Sequence, residues 1–128
     1  MRKVLVLTSL IAFMLLTPVA AQQEAVKRTQ LHTLDFPERY TTLSGTTEIA
    51  PHGSTGRHIH PGVDTGYILE GEVVLIVDGK PPQRLKAGDA YQNAPGVPHD
   101  ARNESDRPAK LFVVLTIEKG KPPTSPAP

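Results

Sequence analysis

From residue 40 onward the chain reads as short runs of apolar and polar positions, interrupted by Gly, Pro, Asp and Asn. Residues 40–49 are rich in threonine and carry no stripe of helical period, which predicts a strand. Pro51-His52-Gly53-Ser54 predicts a turn, residues 57–60 a short extended piece, and residues 65–69 another strand. The β-branched run at 72–77 ends in Asp78-Gly79, a strong hairpin signal. Pro81-Pro82 would interrupt a central strand, so the returning run at 83–86 is predicted to lie at a sheet edge. Ala87-Gly88-Asp89 marks another turn, and runs at 90–93, 97–103 and 110–117 complete the set. Many short strands at close spacing predict an all-β sandwich or barrel, and 128 residues suffice for one domain with one core.

The two ends read differently. Arg2 and Lys3 precede an apolar run over residues 4–16, and Pro18-Val19-Ala20-Ala21 closes it with small residues. This is the pattern of a secretory signal peptide cleaved after Ala21. The alternative, a membrane anchor, fits less well. The run is shorter than the roughly 20 residues that span a bilayer, and it contains Thr8 and Ser9. The reading is a periplasmic or secreted protein with no stable membrane anchor. Residues 22–39 are polar with scattered Val26, Leu31, Leu34 and Phe36, and read as an arm that pairs with a sheet edge. His32 in this arm has no neighbour at ligand spacing and reads as a surface histidine. Residues 120–128 hold four prolines and no core-forming residue, and are expected to be disordered. The barrel itself is bounded at 40–119.

Charge and cysteine content narrow the function classes. The chain has 14 basic and 13 acidic residues; losing Arg2 and Lys3 with the leader leaves 12 against 13, a net charge of −1. Nothing in that near-balance points to nucleic acid or an anionic membrane as partner. With no cysteine, neither a disulfide nor lipid attachment through a cysteine is available.

The chemistry concentrates in Arg57-His58-Ile59-His60-Pro61-Gly62-Val63-Asp64. On an extended chain residues two apart share a face, so His58 and His60 project side by side. Asp64 follows a Pro-Gly turn and can swing back to the same point, although Val63-Asp64-Thr65-Gly66 also reads as a turn. His99 follows Ala94-Pro95-Gly96-Val97-Pro98 and is the candidate distant ligand. Imidazoles and a carboxylate converging on one point outline a transition-metal site. His-x-His alone is weak; in register with Asp64 and His99 it carries weight. Imidazole suits zinc, copper, iron and nickel, and the carboxylate adds preference for harder ions such as manganese.

These residues also stand at the spacing of a known family. His58, His60, Asp64 and Gly71 follow one motif, and Gly88, Ala94, Gly96, His99 and Asn103 a second. The chain thereby resembles a small single-domain cupin over about residues 40–118. The resemblance implies a double-stranded β-helix, or jelly-roll barrel, and a divalent transition metal on His58, His60, Asp64 and His99. It departs from the family pattern in three places. Asp64 replaces a glutamate, Ala94 replaces a proline that recurs one place later as Pro95, and the early glycine is displaced, with His52 in its place and Gly53 after it.

Three histidines and a carboxylate leave one or two positions open on a five- or six-coordinate ion, as a catalytic site requires. The favoured reading is a metal-dependent enzyme on a small organic molecule, of the quercetinase-like dioxygenase kind. The alternatives are a binding or sensing module without turnover and a barrel whose metal only stabilises it. A further acid, base or orienting group would distinguish the enzyme; Tyr91 and Gln92 are the candidates, of which strand alternation turns one inward. An unpaired sheet edge and the resemblance together predict a homodimer. Asn103 is expected to bond backbone and orient the strand carrying His99, and His52 to be a loop histidine at the mouth. For export, mass spectrometry of the protein from its native host is expected to find a chain beginning at or near Gln22. Intact Met1 in the soluble cytoplasm would refute the leader.

Overall fold

In the computed structural model, which describes residues 25–35 and 38–128, ten strands form two five-stranded sheets, and none of the described residues is helical. The leader expected over residues 1–21 lies outside the described residues. In chain order the strands are β1 (Val26–Asp35), β2 (Tyr40–Ile49), β3 (His58–Ile59), β4 (Gly62–Glu70), β5 (Glu72–Val77), β6 (Gln83–Lys86), β7 (Ala90–Asn93), β8 (His99–Arg102), β9 (Ala109–Glu118) and β10 (Ser125–Pro126). One sheet has the order β1-β2-β9-β4-β7 and the other β10-β3-β8-β5-β6. All pairings are antiparallel. From β2 onward successive strands change sheet at every step except the β5–β6 hairpin. This is the winding of a jelly roll, the expected all-β class.

Alternation decides what each strand puts inside. Along β4, Asp64, Gly66 and Ile68 are buried, while Tyr67 and Leu69 are exposed. Ile49, Ile68, Val73, Leu75, Val77, Ala101, Ala109 and Leu111 form the apolar core. The Asp78-Gly79 hairpin forms with Gly79 at φ 77°, and β6 is an edge strand, as Pro81-Pro82 required. β4 begins three residues earlier than its sequence suggested. The stretch 63–66 looks turn-like because it contains Asp and Gly, yet it pairs with β9 on one side and, from Asp64, with β7 on the other.

The displaced motif residues are explained by the turns. His52 adopts φ 57°, the left-handed conformation that glycine takes most easily, and its ring bonds Asp106 at the surface. Ala94-Pro95-Gly96-Val97 closes with Val97 N–H donating to the Ala94 carbonyl, Gly96 at φ 72°. Proline second and a left-handed glycine third suit a type II turn, so the proline one place late still serves it.

Both ends of the barrel are tied down by backbone. The arm forms β1, paired with β2 along its length. The expectation that residues 120–128 are disordered requires correction: Ser125 and Pro126 pair with Ile59 and His58. Ladder bonds need no apolar side chain. Ala127 N–H donates to the Arg57 carbonyl, so the alternating antiparallel pattern places Ser125 and Ile59 at a bonded pair and Pro126 at a non-bonded one, where its missing N–H costs nothing. Prolines also restrict the free chain and lower the entropy lost on docking.

Asn103, just beyond β8, closes the other side. It is 1% exposed. Its amide donates to the carbonyls of Ile49, Ala50 and Arg107, and its Oδ1 accepts from Ser105 N–H and Oγ–H. Asn103→Ala removes all five of these bonds at a buried position, although Gly53 N–H still serves the Ala50 carbonyl and Ser105 Oγ–H the Arg107 carbonyl, and is expected to cost about 2 kcal/mol. Urea denaturation checks this as a lower midpoint with an unchanged slope.

Candidate metal centre

β3 and β8 pair through His58 and His99, which places the distant histidine directly opposite the first of the His-x-His pair. His60 follows β3 on the same face. The three rings meet with centroids 4.8 Å (His58–His60), 4.4 Å (His58–His99) and 5.0 Å (His60–His99) apart. All three residues are at most 9% exposed, and the potential ligand atoms of the three lie within 4.8 Å of one another.

The protons on these rings are fixed from outside. His58 Nδ1 lies 2.7 Å from the Gly56 carbonyl, His60 Nδ1 2.7 Å from the Pro123 carbonyl, and His99 Nδ1 2.8 Å from the Val97 carbonyl. A carbonyl only accepts, so each Nδ1 carries the proton, and each neutral ring presents a bare lone pair at Nε2. Those lone pairs face one another: His58 Nε2 and His60 Nε2 are 3.2 Å apart. His99 Nε2 is buried without a hydrogen-bond partner. Burial pushes the pKa of both His58 and His60 below the ordinary histidine value, against the opposing backbone bonds to Gly56 and Pro123. Protonation is therefore a poor way to relieve the crowding of lone pairs. A cation relieves it, and locked Nδ1–H tautomers with convergent Nε2 atoms are the donor set that fits a divalent transition metal.

Asp64 enters from the opposite sheet. Its side chain is 3% exposed, and Oδ2 lies 3.4 Å from His99 Nε2. Asn93 Nδ2–H donates to the same oxygen at 3.0 Å, while Oδ1 is buried without a partner. Asp64 thus stands on the lone-pair side of the cluster, and it bonds no ring Nδ1–H, since backbone carbonyls accept all three. For His99, burial lowers the pKa, but the adjacent Asp64 carboxylate, the bond to the Val97 carbonyl and the charge of Asp100 outweigh it, so the net direction is up. In the metal-free chain His99 therefore favours folding below its ordinary pKa and loses that contribution as pH rises through the raised value. His58 and His60 act oppositely: as pH falls below their ordinary value, the unfolded chain takes protons that the folded rings resist.

Of the two neighbouring candidates for an additional polar group, Tyr91 faces in. Gln92 faces out and bonds Thr65. Tyr91 lies opposite Gly66 in the β4–β7 pair, and a Cβ on Gly66 would fall 2.2 Å from the tyrosine ring. The glycine is there for that ring, not for a turn. Burial, reinforced by the negative charge of nearby Asp64, holds the Tyr91 phenol far above its usual pKa. Asn93, two residues on, shares the inward face; sequence reading missed it, although the same alternation that turns Tyr91 inward also selects Asn93. Pro123 was missed for a different reason, because only its backbone takes part. His52, half-exposed and bonded to Asp106, takes no part in the cluster.

The cluster opens into a cavity of about 230 Å³, with Leu43, Leu75, Leu111, Val113 and Leu115 among its walls and Arg28, Thr55 and Tyr91 as polar groups. The Cupin domain family matches residues 45–115, more than half of the sequence. This chain belongs to the cupin family. Among curated relatives, the cupin is similar to the H2HPP isomerase of Bacillus subtilis, 30% identical over 93 residues, which are 69% of this chain and 39% of the relative. It is also similar to the dimethylsulfoniopropionate lyase DddQ of Ruegeria pomeroyi, 38% identical over 69 residues, 54% of this chain and 32% of the relative. The cupin thus spans well under half the length of either. Among solved structures, an uncharacterized conserved protein with a double-stranded β-helix domain from Klebsiella pneumoniae superposes with a TM-score of 0.67 at 21% identity, covering 83% of this chain and 87% of that one.

The Gly66–Tyr91 contact gives a direct test. The chain has three tyrosines, and Tyr40 and Tyr67 are exposed. Alkaline spectrophotometric titration of the folded protein is expected to show that Tyr91 resists ionisation. Gly66→Ala expels the Tyr91 ring and is expected to let that phenol ionise at lower pH.

Proposed function

We propose that this cupin is a metal-dependent enzyme acting on a small, partly apolar organic molecule that carries an anionic group. The observation that carries the reading is the convergence of three buried Nε2 lone pairs whose ring protons are committed to backbone carbonyls. His58, His60 and His99 would hold the metal and Asp64 would supply the carboxylate. When bound, the ion supplies Lewis-acid or redox chemistry at an open position.

The chain's own residues supply the rest. The cavity is smaller than the roughly 300–1,000 Å³ of drug-sized sites and largely apolar in its walls, which suits a small ligand. Arg28, which lines the cavity and also meets solvent, offers a permanent positive charge to an anionic group. Tyr91 keeps its proton at neutral pH and can hydrogen-bond and orient a ligand oxygen. The two curated relatives bear the names of an isomerase and a lyase. Redox-neutral proton transfer is therefore favoured over the dioxygenation that the family resemblance suggested. Export belongs to the same proposal, supported by the charged start, the apolar run over residues 4–16 and the small residues that close it.

Titration calorimetry of the mature protein with manganese, zinc, copper and nickel tests the centre. Binding must displace the proton favoured on His99, so affinity is expected to fall with decreasing pH, beginning above the ordinary histidine pKa of about 6.5. Asp64→Asn removes the largest of the influences that raise the His99 pKa and is expected to move this fall to lower pH. His60→Ala is expected to lose most of the affinity, and wild-type affinity of that variant for every metal would overturn the centre. Oxygen-consumption and solvent deuterium-exchange screens on small organic acids then separate oxygenation from proton transfer. Tight metal binding with neither activity would favour a sensing module.

A further inference from the structure

Two of the three ring-fixing carbonyls are local and one is not. His58 and His99 each donate to the carbonyl two residues earlier, at Gly56 and Val97. These bonds form within the turns that carry the histidines. His60 donates instead to Pro123, 63 residues away, with Thr124 Oγ1 a further 3.4 Å neighbour of the same nitrogen. Pro123 and Thr124 also line the cavity. The segment that brings them there is held by backbone: the pairing of Ser125 with Ile59 and the bond from Ala127 N–H to the Arg57 carbonyl. It buries no large apolar side chain, since Pro122, Pro123, Thr124 and Pro126 are all exposed by residue. The Arg57 guanidinium adds one exposed bond to the Pro128 carbonyl. A segment held by a short, solvent-facing ladder and a few polar bonds belongs to the part of a fold that opens most easily.

We propose that residues 122–127 are a detachable strap that fixes the tautomer of His60 and thereby completes the metal centre. This rests on the metal reading above. With the strap docked, the Pro123 carbonyl holds the proton on Nδ1 and turns the Nε2 lone pair toward His58 and His99. With it released, the His60 ring loses the acceptor that fixes its proton and rotation, and one wall of the cavity opens. Because metal favours the docked arrangement, docking favours metal by the same factor. Pro123 is therefore a positioning residue that acts through its main chain, and no side-chain substitution at that position reproduces its loss.

Two variants remove the strap differently. One is the mature protein truncated after Lys121. The other is Ser125→Pro, which deletes an N–H at a bonded position of the ladder while keeping every other residue. Nitrogen-15 NMR of the histidine rings in the metal-free protein is expected to show Nδ1–H tautomers at His58, His60 and His99 in the wild type. In both variants His60 alone is expected to shift toward the Nε2–H form usual for a free imidazole. Calorimetry with zinc and with manganese is expected to show affinity lower by about 10- to 100-fold, the usual effect of losing a group that orients a ligand. An unchanged His60 tautomer in both variants would overturn the strap, as would a shift of all three rings together, which marks general loosening. The metal reading fails separately: if the wild type binds neither ion but His60 alone changes tautomer, the strap stands and the metal centre falls.

Discussion

The centre depends on where three protons are kept. Each imidazole has one proton for two nitrogens, and each donates it to a backbone carbonyl behind the ring. The consequence is forced: three lone pairs share the space in front, in a place where water is scarce and the pKa of two of the rings is already depressed by burial. Bringing lone pairs to 3.2 Å is unfavourable unless something positive lies near them. Geometry imposed by the fold thus creates a demand that a metal ion would satisfy. The fold can impose it because the histidines sit on backbone that is itself pinned: His58 and His99 face each other in the ladder, and the His60 carbonyl accepts from Gly96 in the turn before His99.

The opposite sheet answers the cluster with one negative group. A buried carboxylate costs several kcal/mol unless it is paired, and Asp64 has two sources of relief, the Asn93 amide and the Nε2 side of His99. This splits the three chemically identical rings. His58 and His60 resist protons, and His99 attracts one. The split makes His99 the ring at which a proton would compete most strongly with a metal.

Legibility in the sequence followed the range of the forces involved. The runs at 72–77, 83–86 and 90–93 could be read to the residue because alternation and turn chemistry act over a few positions. The histidines were legible because strand period and motif spacing both mark them. Asp64 was harder: Asp followed shortly by Gly looks like a turn, and only the pairing of β4 with β7 and β9 shows that both residues serve the barrel interior. Gly66 could not be read as a seat for Tyr91, because the contact crosses between strands 25 residues apart in the chain. The strap was misread because a composition without apolar residues argues against a packed core and says nothing against main-chain pairing.

The shorter carboxylate now has a structural context. Aspartate gives up about 1.5 Å of reach against glutamate. Here it stands on a strand facing the cluster, already within 3.4 Å of His99 Nε2. One more methylene at that position would push the carboxylate into the ring nitrogen or past it, and would carry it off the Asn93 amide. Tyr91 adds to the constraint, since its ring fills the space over Gly66 next to the same side chain. Asp64, Gly66, Tyr91 and Asn93 therefore behave as one fitted unit. Lengthening the acid to restore the family's glutamate would require Asn93 and Tyr91 to move with it.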